Sequence, residues 1–88
     1  MKVTVSSPLY SYTGQRRQVA ASGATLRDLL VDLDRQFPGI RFRMIDEQEH
    51  VREHIRIFIN GQLCSDLSAP LQANDIVQII TSISGGQA

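Results

Sequence analysis

The sequence predicts an α+β fold, in which a mixed sheet of four or five strands carries one main helix on one face. Near the N-terminus Val3 and Val5 alternate with polar residues, the period of two that is typical of a half-buried strand, and residues 76–81 near the C-terminus form a mostly apolar run. Between them, leucine recurs with helical spacing. A chain of 88 residues suffices for one domain with a modest core, and it leaves no room for a deep catalytic cavity.

The first two strands are predicted at the N-terminal end. Val3 and Val5 alternate with polar residues until Pro8 ends the run. After a turn, residues 16–21 can return as a second strand, although Val19 is the one strong strand former among them. Together the two segments predict a β-hairpin with a loose loop.

The main helix follows this hairpin. Thr25 is suited to cap it, because a threonine hydroxyl can accept a hydrogen bond from an unpaired amide of the first turn. The helix should begin at Leu26 and stop at Pro38-Gly39. Its apolar residues fall on one face: Leu26, Leu29, Leu30, Leu33 and Phe37. Such a helix can cover one face of a sheet.

Residues 40–54 give a weaker signal. The segment starts apolar and then becomes almost continuously polar, which predicts a short irregular or helical excursion. Behind it, Asn60-Gly61 is the strongest short-range hairpin signal in the chain. We therefore expect a strand up to Ile59 and a brief returning strand over residues 62–65.

The last strand is predicted over residues 76–81, after an Asn74-Asp75 turn. Two hairpins that flank one helix in this order form the β-grasp, or ubiquitin-like, roll. We assign residues 1–82 to this domain. Residues 83–88 show neither hydrophobic periodicity nor a cap, and we expect them to form a flexible C-terminal tail.

Composition narrows the possible partners. Nine basic residues balance nine acidic ones, so nucleic acid and anionic membrane surfaces are not expected partners. Cys64 is the one cysteine, and the N-terminus lacks the features of a signal or transit peptide. These features predict a cytoplasmic protein.

Eight of the nine basic residues are arginines, and Lys2 is the one lysine. No single function is predicted from this bias.

The sequence contains two other candidate sites, a histidine pair and a cysteine, and neither is predicted to be functional. His50 and His54 lie four apart, but no His-Glu-x-x-His motif is present and a charge-rich run is usually a solvated face, so no metal site is predicted. Cys64 has neither a Cys-x-x-Cys partner nor an adjacent histidine, which favours a packed or idle thiol over a reactive one.

The diglycine Gly85-Gly86 is the most specific motif. With the β-grasp order, the Asn-Gly hairpin, the Asn-Asp turn and the apolar last strand, it resembles the MoaD/ThiS sulfur-carrier family over nearly the whole chain. Finer features resemble the branch of carriers that serves cysteine or thio-siderophore biosynthesis. These features are Val3-Thr4-Val5-Ser6, the Gly14 turn, residues 21–26 and Gly39-Ile40.

The chain continues past the diglycine by Gln87-Ala88, whereas members of the family usually stop at Gly-Gly. This extension is similar to that of the thioquinolobactin-type carriers. The resemblance implies that a zinc-dependent JAMM-type peptidase removes it by cutting the Gly86-Gln87 bond. The other interpretation is that the diglycine is only part of a flexible terminus.

The resemblance also implies the chemistry. An E1-like adenylyltransferase would activate Gly86 with ATP, a sulfide source would convert it to a thiocarboxylate, and a sulfur-accepting synthase would take the sulfur. The sequence has no phosphate-cradling glycine motif, so ATP should bind the partner and the carrier should hold no cofactor. On this interpretation the chain is a protein substrate rather than an enzyme.

Partner enzymes should dock on the sheet face that the helix leaves open. Val77 and Ile79 fit the inward parity of the last strand, so Ile80 should point outward, and Phe58 shares that parity on a neighbouring strand. Ile83 matches an apolar position just before the family's diglycine. The predicted partner-binding residues are therefore Phe58, Ile80 and Ile83. The alternative interpretation is that they are ordinary surface apolar residues.

The sequence leaves two other functions possible. A ubiquitin-like modifier would use the same activated Gly86 to form isopeptide bonds with lysines of other proteins. A non-covalent β-grasp interaction module would not need the tail, and its function would survive removal of residues 85–88.

Overall fold

The structure, a computed structural model, describes residues 1–81. Its five strands are β1 (Lys2–Val5), β2 (Gln18–Ala20), β3 (Ile55–Ile59), β4 (Gln62–Leu63) and β5 (Ile76–Thr81). Its helices are α1 (Leu26–Gln36), α2 (Ile40–Met44) and a 3₁₀ turn over Ser7–Leu9. Within residues 1–81, none of the helices combines the length and the apolarity needed to cross a membrane.

The five strands form one mixed sheet in the order β2-β1-β5-β3-β4. The central pair, β1 and β5, is parallel, and the other three pairings are antiparallel. The predicted β-grasp arrangement is therefore confirmed, with the upper of the two predicted strand counts. The domain boundary at residue 82 stays a prediction.

The sheet has an inner face, which α1 covers, and an outer face, which no described helix covers. Alternate residues of β1, β3 and β5 point inward and are at most 3% exposed: Val3, Val5, Ile55, Ile57, Val77 and Ile79. Against them pack the four leucines of α1, all fully buried. Full burial of one such side chain contributes about 1.5–3 kcal/mol, so this layer is the main source of stability.

Helix α1 begins where its capping residue predicts. The Thr25 Oγ1 atom accepts a hydrogen bond from the Asp28 amide at 3.2 Å. Ahead of it, Gly23 lies so close to the helix that an added Cβ would stand 2.4 Å from the Leu29 backbone nitrogen. Any larger residue there would force this loop or the first turn of α1 to shift.

The excursion over residues 40–54 contains α2, a short helix that the pattern allows but does not locate. The Asp34 carboxylate on α1 accepts hydrogen bonds from the amides of Gly39 (3.1 Å) and Arg41 (3.2 Å) at the start of α2. The first and last residues of α2, Ile40 and Met44, are fully buried. A side chain of the preceding helix thus fixes where α2 begins.

Two strands are shorter than predicted. The returning strand β4 ends at Leu63 rather than residue 65, because Asp66 accepts hydrogen bonds from the amide and hydroxyl of Ser68 and turns the chain away. Strand β2 begins at Gln18 rather than residue 16, because the Thr13 hydroxyl donates to the Arg16 carbonyl and holds it in the preceding turn.

The Asn60-Gly61 hairpin is confirmed. Both residues have positive φ angles, 51° and 83°, as a two-residue turn between twisted strands requires. Glycine adopts this conformation without steric cost, and asparagine tolerates it better than most residues. The turn pairs Ile59 with Gln62 and thereby fixes which residues of β4 share a face with β3.

Candidate functional site

The candidate site is the outer face of the sheet where β4, β3 and β5 lie side by side. Phe58 stands opposite Leu63 on one side and opposite Gln78 on the other. Ile80 stands opposite Arg56. Phe58 and Ile80 are therefore diagonal neighbours across the β3–β5 pair, a spacing that long and aromatic side chains can bridge.

Four apolar side chains make up this region, which we call the outer-face patch: Phe58, Leu63, Ile76 and Ile80. Leu63 is 62% exposed, Ile76 44% and Ile80 41%, while Phe58 is half-buried at the centre. Phe58 lies diagonal to both isoleucines because its direct partner Gln78 separates them along β5. The strand register places the patch across three adjacent strands.

Phe58 and Ile80 lie on the outer face, as the parity of their strands predicts. Leu63 and Ile76 were not predicted. The signals were present, since a two-residue turn at Asn60-Gly61 places Leu63 opposite Phe58, and Ile76 has the same parity as Ile80. Partner binding by these residues stays a prediction.

Arg56 lies at the edge of the patch and is held in place by main-chain contacts. Its Nη1 atom donates hydrogen bonds to the carbonyl oxygens of Glu53 (2.6 Å) and Ile55 (3.1 Å). The side chain is exposed and ties the loop before β3 to the strand itself. Arg56 therefore places an ordered positive charge on the border of the patch.

A hydrogen-bonded turn fixes β3 to the head of β5. The Asp75 carboxylate accepts from the Gln72 amide at 2.8 Å and from the Asn60 Nδ2 atom at 2.9 Å. These two bonds hold the pKa of Asp75 below its usual value. The Asn60 Oδ1 atom in turn accepts from the Ile76 amide at 2.9 Å. The β3–β4 turn thus sets where β5 starts and where Ile76 stands.

The other end of β5 is held between its two neighbours. Thr81 pairs with Ile55 of β3, and its amide donates to the Ser6 hydroxyl, just beyond β1, at 2.8 Å. The Ser6 amide donates to the Ile79 carbonyl at 3.1 Å. Thr81, the last described residue, therefore lies between the start of β3 and the end of β1. The predicted site residues Ile83, Gly85, Gly86, Gln87 and Ala88 lie outside the described residues.

Cys64 and His50, for which the sequence predicts no functional role, lie away from this face. Cys64 is half-buried against the core, and its thiol donates to the Asp66 carbonyl at 3.6 Å. His50 lies in a turn where the Asp46 carboxylate accepts from the His50 amide at 3.0 Å. Across the described part of the chain, no three histidine, cysteine or acidic residues gather in a way that could hold a metal ion.

A surface outside the patch also exposes an aromatic ring. Phe42 on α2 is 57% exposed, and the Arg52 guanidinium stacks over its ring with 4.5 Å to the centroid. The Arg52 Nε atom donates to the Phe42 carbonyl at 2.7 Å, which holds the stack. This contact joins α2 to the loop before β3 and places another ordered arginine near the start of that strand.

Known proteins match this chain over nearly its whole length. The model of the ThiS family matches residues 3–86. The sulfur carrier protein CysO of Mycobacterium tuberculosis (strain ATCC 25618 / H37Rv) is 32% identical over 93 residues, covering 98% of this chain and 100% of the relative.

Solved structures agree with that match. The Amycolatopsis orientalis BexX/CysO complex contains a chain with a TM-score of 0.88 and 26% identity, covering 97% of this chain and 98% of the other. The crystal structure of Mycobacterium tuberculosis CysO gives a TM-score of 0.87 and 25% identity, covering 93% and 98%. On the extent of the family match and the identity to CysO, this chain belongs to the ThiS family.

Proposed function

We propose that this chain is a sulfur carrier that bears its sulfur as a thiocarboxylate on Gly86. The observation that carries the proposal is the reach of the ThiS family match, which extends to Gly86, the second residue of the diglycine. The 32% identity to a protein named sulfur carrier supports the same role. The carried sulfur would serve cysteine biosynthesis, or a thio-siderophore or related cofactor pathway.

The chemistry needs activation from outside the chain. A carboxylate is a poor electrophile, so its oxygen must first attack the α-phosphate of ATP to give an acyl-adenylate and pyrophosphate. Sulfide then attacks the acyl carbon, AMP leaves, and the thiocarboxylate remains. An E1-like adenylyltransferase would bind the ATP and receive the sulfide source. The carrier itself would bind no cofactor and act as a substrate.

Gly86 must carry the free carboxylate before this can begin. In the sequence the chain continues by Gln87-Ala88, so a JAMM-type metallopeptidase would first hydrolyse the Gly86-Gln87 bond. Glycines suit the exposed end because they lack Cβ and let the backbone enter a narrow channel of the partner. The Gln87 side chain would not fit such a channel.

The body of the carrier would dock through the outer-face patch, with the predicted residue Ile83 beside it. A cluster of exposed apolar side chains on one face of a small domain is typical of a binding site. A related CysO has been solved in complex with BexX, which supports a partner protein for this chain as well. The adenylyltransferase and the sulfur-accepting synthase would use the face in turn.

The test is a mass measurement on two forms of the protein. Residues 1–86 and the full chain are incubated with an E1-like adenylyltransferase, ATP and sulfide, and intact masses are recorded. We expect residues 1–86 to exchange one oxygen for sulfur and the full chain to stay unchanged. Adding the metallopeptidase to the full chain should restore the exchange.

Two results would contradict the proposal. Equal exchange on the full chain would show that trimming is not needed. Lysine-linked adducts on other proteins, with no exchange on residues 1–86, would identify a modifier instead. A Gly86→Ala variant of the trimmed form is the matched control, because it keeps the carboxylate but adds a Cβ that the channel should reject.

A further inference from the structure

An open groove lies along the edge of the sheet where β4 ends. Strand β4 pairs with Phe58 and Ile59, so in the described part of the chain the first three residues of β3 have no strand beside them on that side. The Cys64 amide donates to the Ile57 carbonyl at 2.8 Å before the turn at Asp66 leads the chain away. This edge can therefore receive an extended segment, because a strand edge presents backbone donors and acceptors.

The groove has a volume of about 410 Å³ and continues the outer-face patch. It is lined on one side by the loop before β3, residues 51–53, and on the other by residues 63–65 at the end of β4. The first three residues of β3 complete the lining. Leu63 belongs both to the groove and to the outer-face patch. A partner that docks on the patch would therefore also reach the groove.

A smaller cleft of about 200 Å³ adjoins the groove at Arg52, which lines both. Phe42, Arg43 and His54 also line this cleft. The Arg52 guanidinium is held there by its stack on the Phe42 ring, 4.5 Å from the centroid, and by the bond from its Nε atom to the Phe42 carbonyl. A guanidinium has five N–H donors, so these contacts orient the group and leave donors for a ligand.

The groove and the cleft carry an excess of positive charge. Among the described residues that line them are three arginines, Arg43, Arg52 and Arg56, and one acidic residue, Glu53. The whole chain, in contrast, has equal numbers of basic and acidic residues. The Arg56 Nη1 atom donates to the Ile55 carbonyl at 3.1 Å, which places its guanidinium on the unpaired edge of β3. The positive charge thus lies where an added segment would run.

Asp46 is a further acidic residue near Arg52, but its carboxylate is already engaged. Its Oδ1 atom accepts from the amides of Gln48 (2.9 Å) and His50 (3.0 Å). The hydrogen bond from His50, then that from Gln48, holds the pKa of Asp46 below its usual value, with smaller contributions from the charges of His50 and Arg52. With Asp46 counted, the arginines around the groove still outnumber the acidic residues.

We propose that the groove beside β3 binds an extended acidic segment of a partner protein, whose carboxylates pair with Arg52 and Arg56. Arginine suits this recognition, because its planar guanidinium can bind a carboxylate through two parallel hydrogen bonds. The inference rests on the proposed function in one respect, since the segment would belong to an enzyme that docks on the outer-face patch.

The test is an NMR titration of the isotopically labelled full chain at low ionic strength, followed through its backbone amides. The probe is a short peptide with blocked ends in which glutamate alternates with valine, a β-branched residue that favours extended backbone. Two other probes are compared with it: the same peptide with lysine in place of glutamate, and glutarate, a free dicarboxylate. We expect the glutamate peptide to shift the amide signals of Ile57 and Cys64 and to leave that of Val19, on β2, unchanged.

Three variants locate the charges that matter. Arg52→Gln and Arg56→Gln should each raise the Kd of the glutamate peptide by roughly threefold or more, because each removes one ion pair from the groove. Arg17→Gln is the matched control, since Arg17 is exposed just before β2, at the opposite edge of the sheet. It should change the Kd by less than roughly 1.5-fold. Arg56→Gln leaves the stack on Phe42 intact, and urea unfolding checks that each variant keeps the fold.

The inference is overturned if the glutamate peptide shifts no groove signal, or if the lysine peptide binds equally well. It also fails if glutarate gives the same shifts with the same affinity, which would identify a site for small anions only. If Arg17→Gln weakens binding as much as the two groove variants, the effect is one of net charge and the groove has no special role. These outcomes leave the sulfur-carrier proposal intact, because thiocarboxylate formation is measured separately with enzyme, ATP and sulfide. Conversely, failure of that assay would not alter the peptide affinities.

Discussion

The two faces of the sheet are built from the same strands and differ in what determines their residues. On the inner face, Ile57 and Ile79 are 1% exposed and pack under α1. On the outer face, their neighbours Phe58 and Ile80 lie beside Gln78 and Arg56 in a mixed polar and apolar surface. Core packing requires apolar residues on the inner face only. Core packing therefore does not account for the apolar residues of the outer face, and their role in partner binding stays a prediction.

The largest expected effect compares two isoleucines on opposite faces. Ile57→Ala should lower the free energy of unfolding by about 2–5 kcal/mol, because it leaves a cavity in the buried layer. Ile80→Ala removes the same atoms from a side chain that is 41% exposed, and it should cost about 1 kcal/mol or less. Urea unfolding of both variants measures the difference. Similar losses would mean that the outer face belongs to the core.

The next largest expected effect is on the affinity for the adenylating enzyme, and it compares substitutions at the two residues of β4. Leu63→Asp places a charge in the outer-face patch, and we expect it to weaken binding to the adenylating enzyme by about tenfold or more. Gln62→Asp adds the same charge one residue earlier, where parity directs it to the other face, and it should change the affinity by less than about twofold. Titration calorimetry on trimmed proteins provides both affinities.

The two β4 variants also decide between docking and ordinary surface exposure. If both weaken binding equally, the effect is one of net charge and the patch has no special role. If neither does, the partner contacts another part of the carrier. Unfolding curves should show little change for either variant, since both side chains are exposed.

Most of the inner face was predictable from sequence, and the reason is periodicity. The leucines of α1 and the alternating residues of β1, β3 and β5 follow patterns that only one buried face can satisfy. The Asn60-Gly61 turn was equally clear, because few residue pairs accept two positive φ angles. These local rules determined the fold class and the element order.

What escaped prediction depends on contacts between residues far apart in sequence or on side-chain capping. The start of α2 is set by Asp34 from α1, and the early end of β4 by the turn at Asp66. The outer-face patch was half predicted, since Leu63 and Ile76 required the pairing of three strands to be combined. The partner-binding role of Ile83 and the reactions at Gly86 stay predictions, because both residues lie outside the described part of the chain.

The smallest expected effect concerns the hydrogen-bonded turn that holds β3 to the start of β5. Two hydrogen bonds, from the Gln72 amide and the Asn60 side chain, lower the pKa of the Asp75 carboxyl. A carboxyl whose pKa is lower in the folded state than in the unfolded state stabilises the fold above its unfolded pKa. That contribution is lost as the pH falls through the folded pKa. The loss should therefore occur below about pH 4.

Asp75→Asn isolates this contribution, because it keeps the shape of the side chain and removes the ionised carboxylate. We expect the variant to be slightly less stable than the unsubstituted protein at neutral pH, and the difference to shrink as the pH falls below about 4. Urea unfolding across that pH range measures it. Gln72→Ala is the matched control, since its backbone amide still donates to Asp75, and it should leave the acid dependence unchanged. A stability difference for Asp75→Asn that stayed constant with pH would show that the shape of the turn, rather than the charge of Asp75, holds β3 to β5.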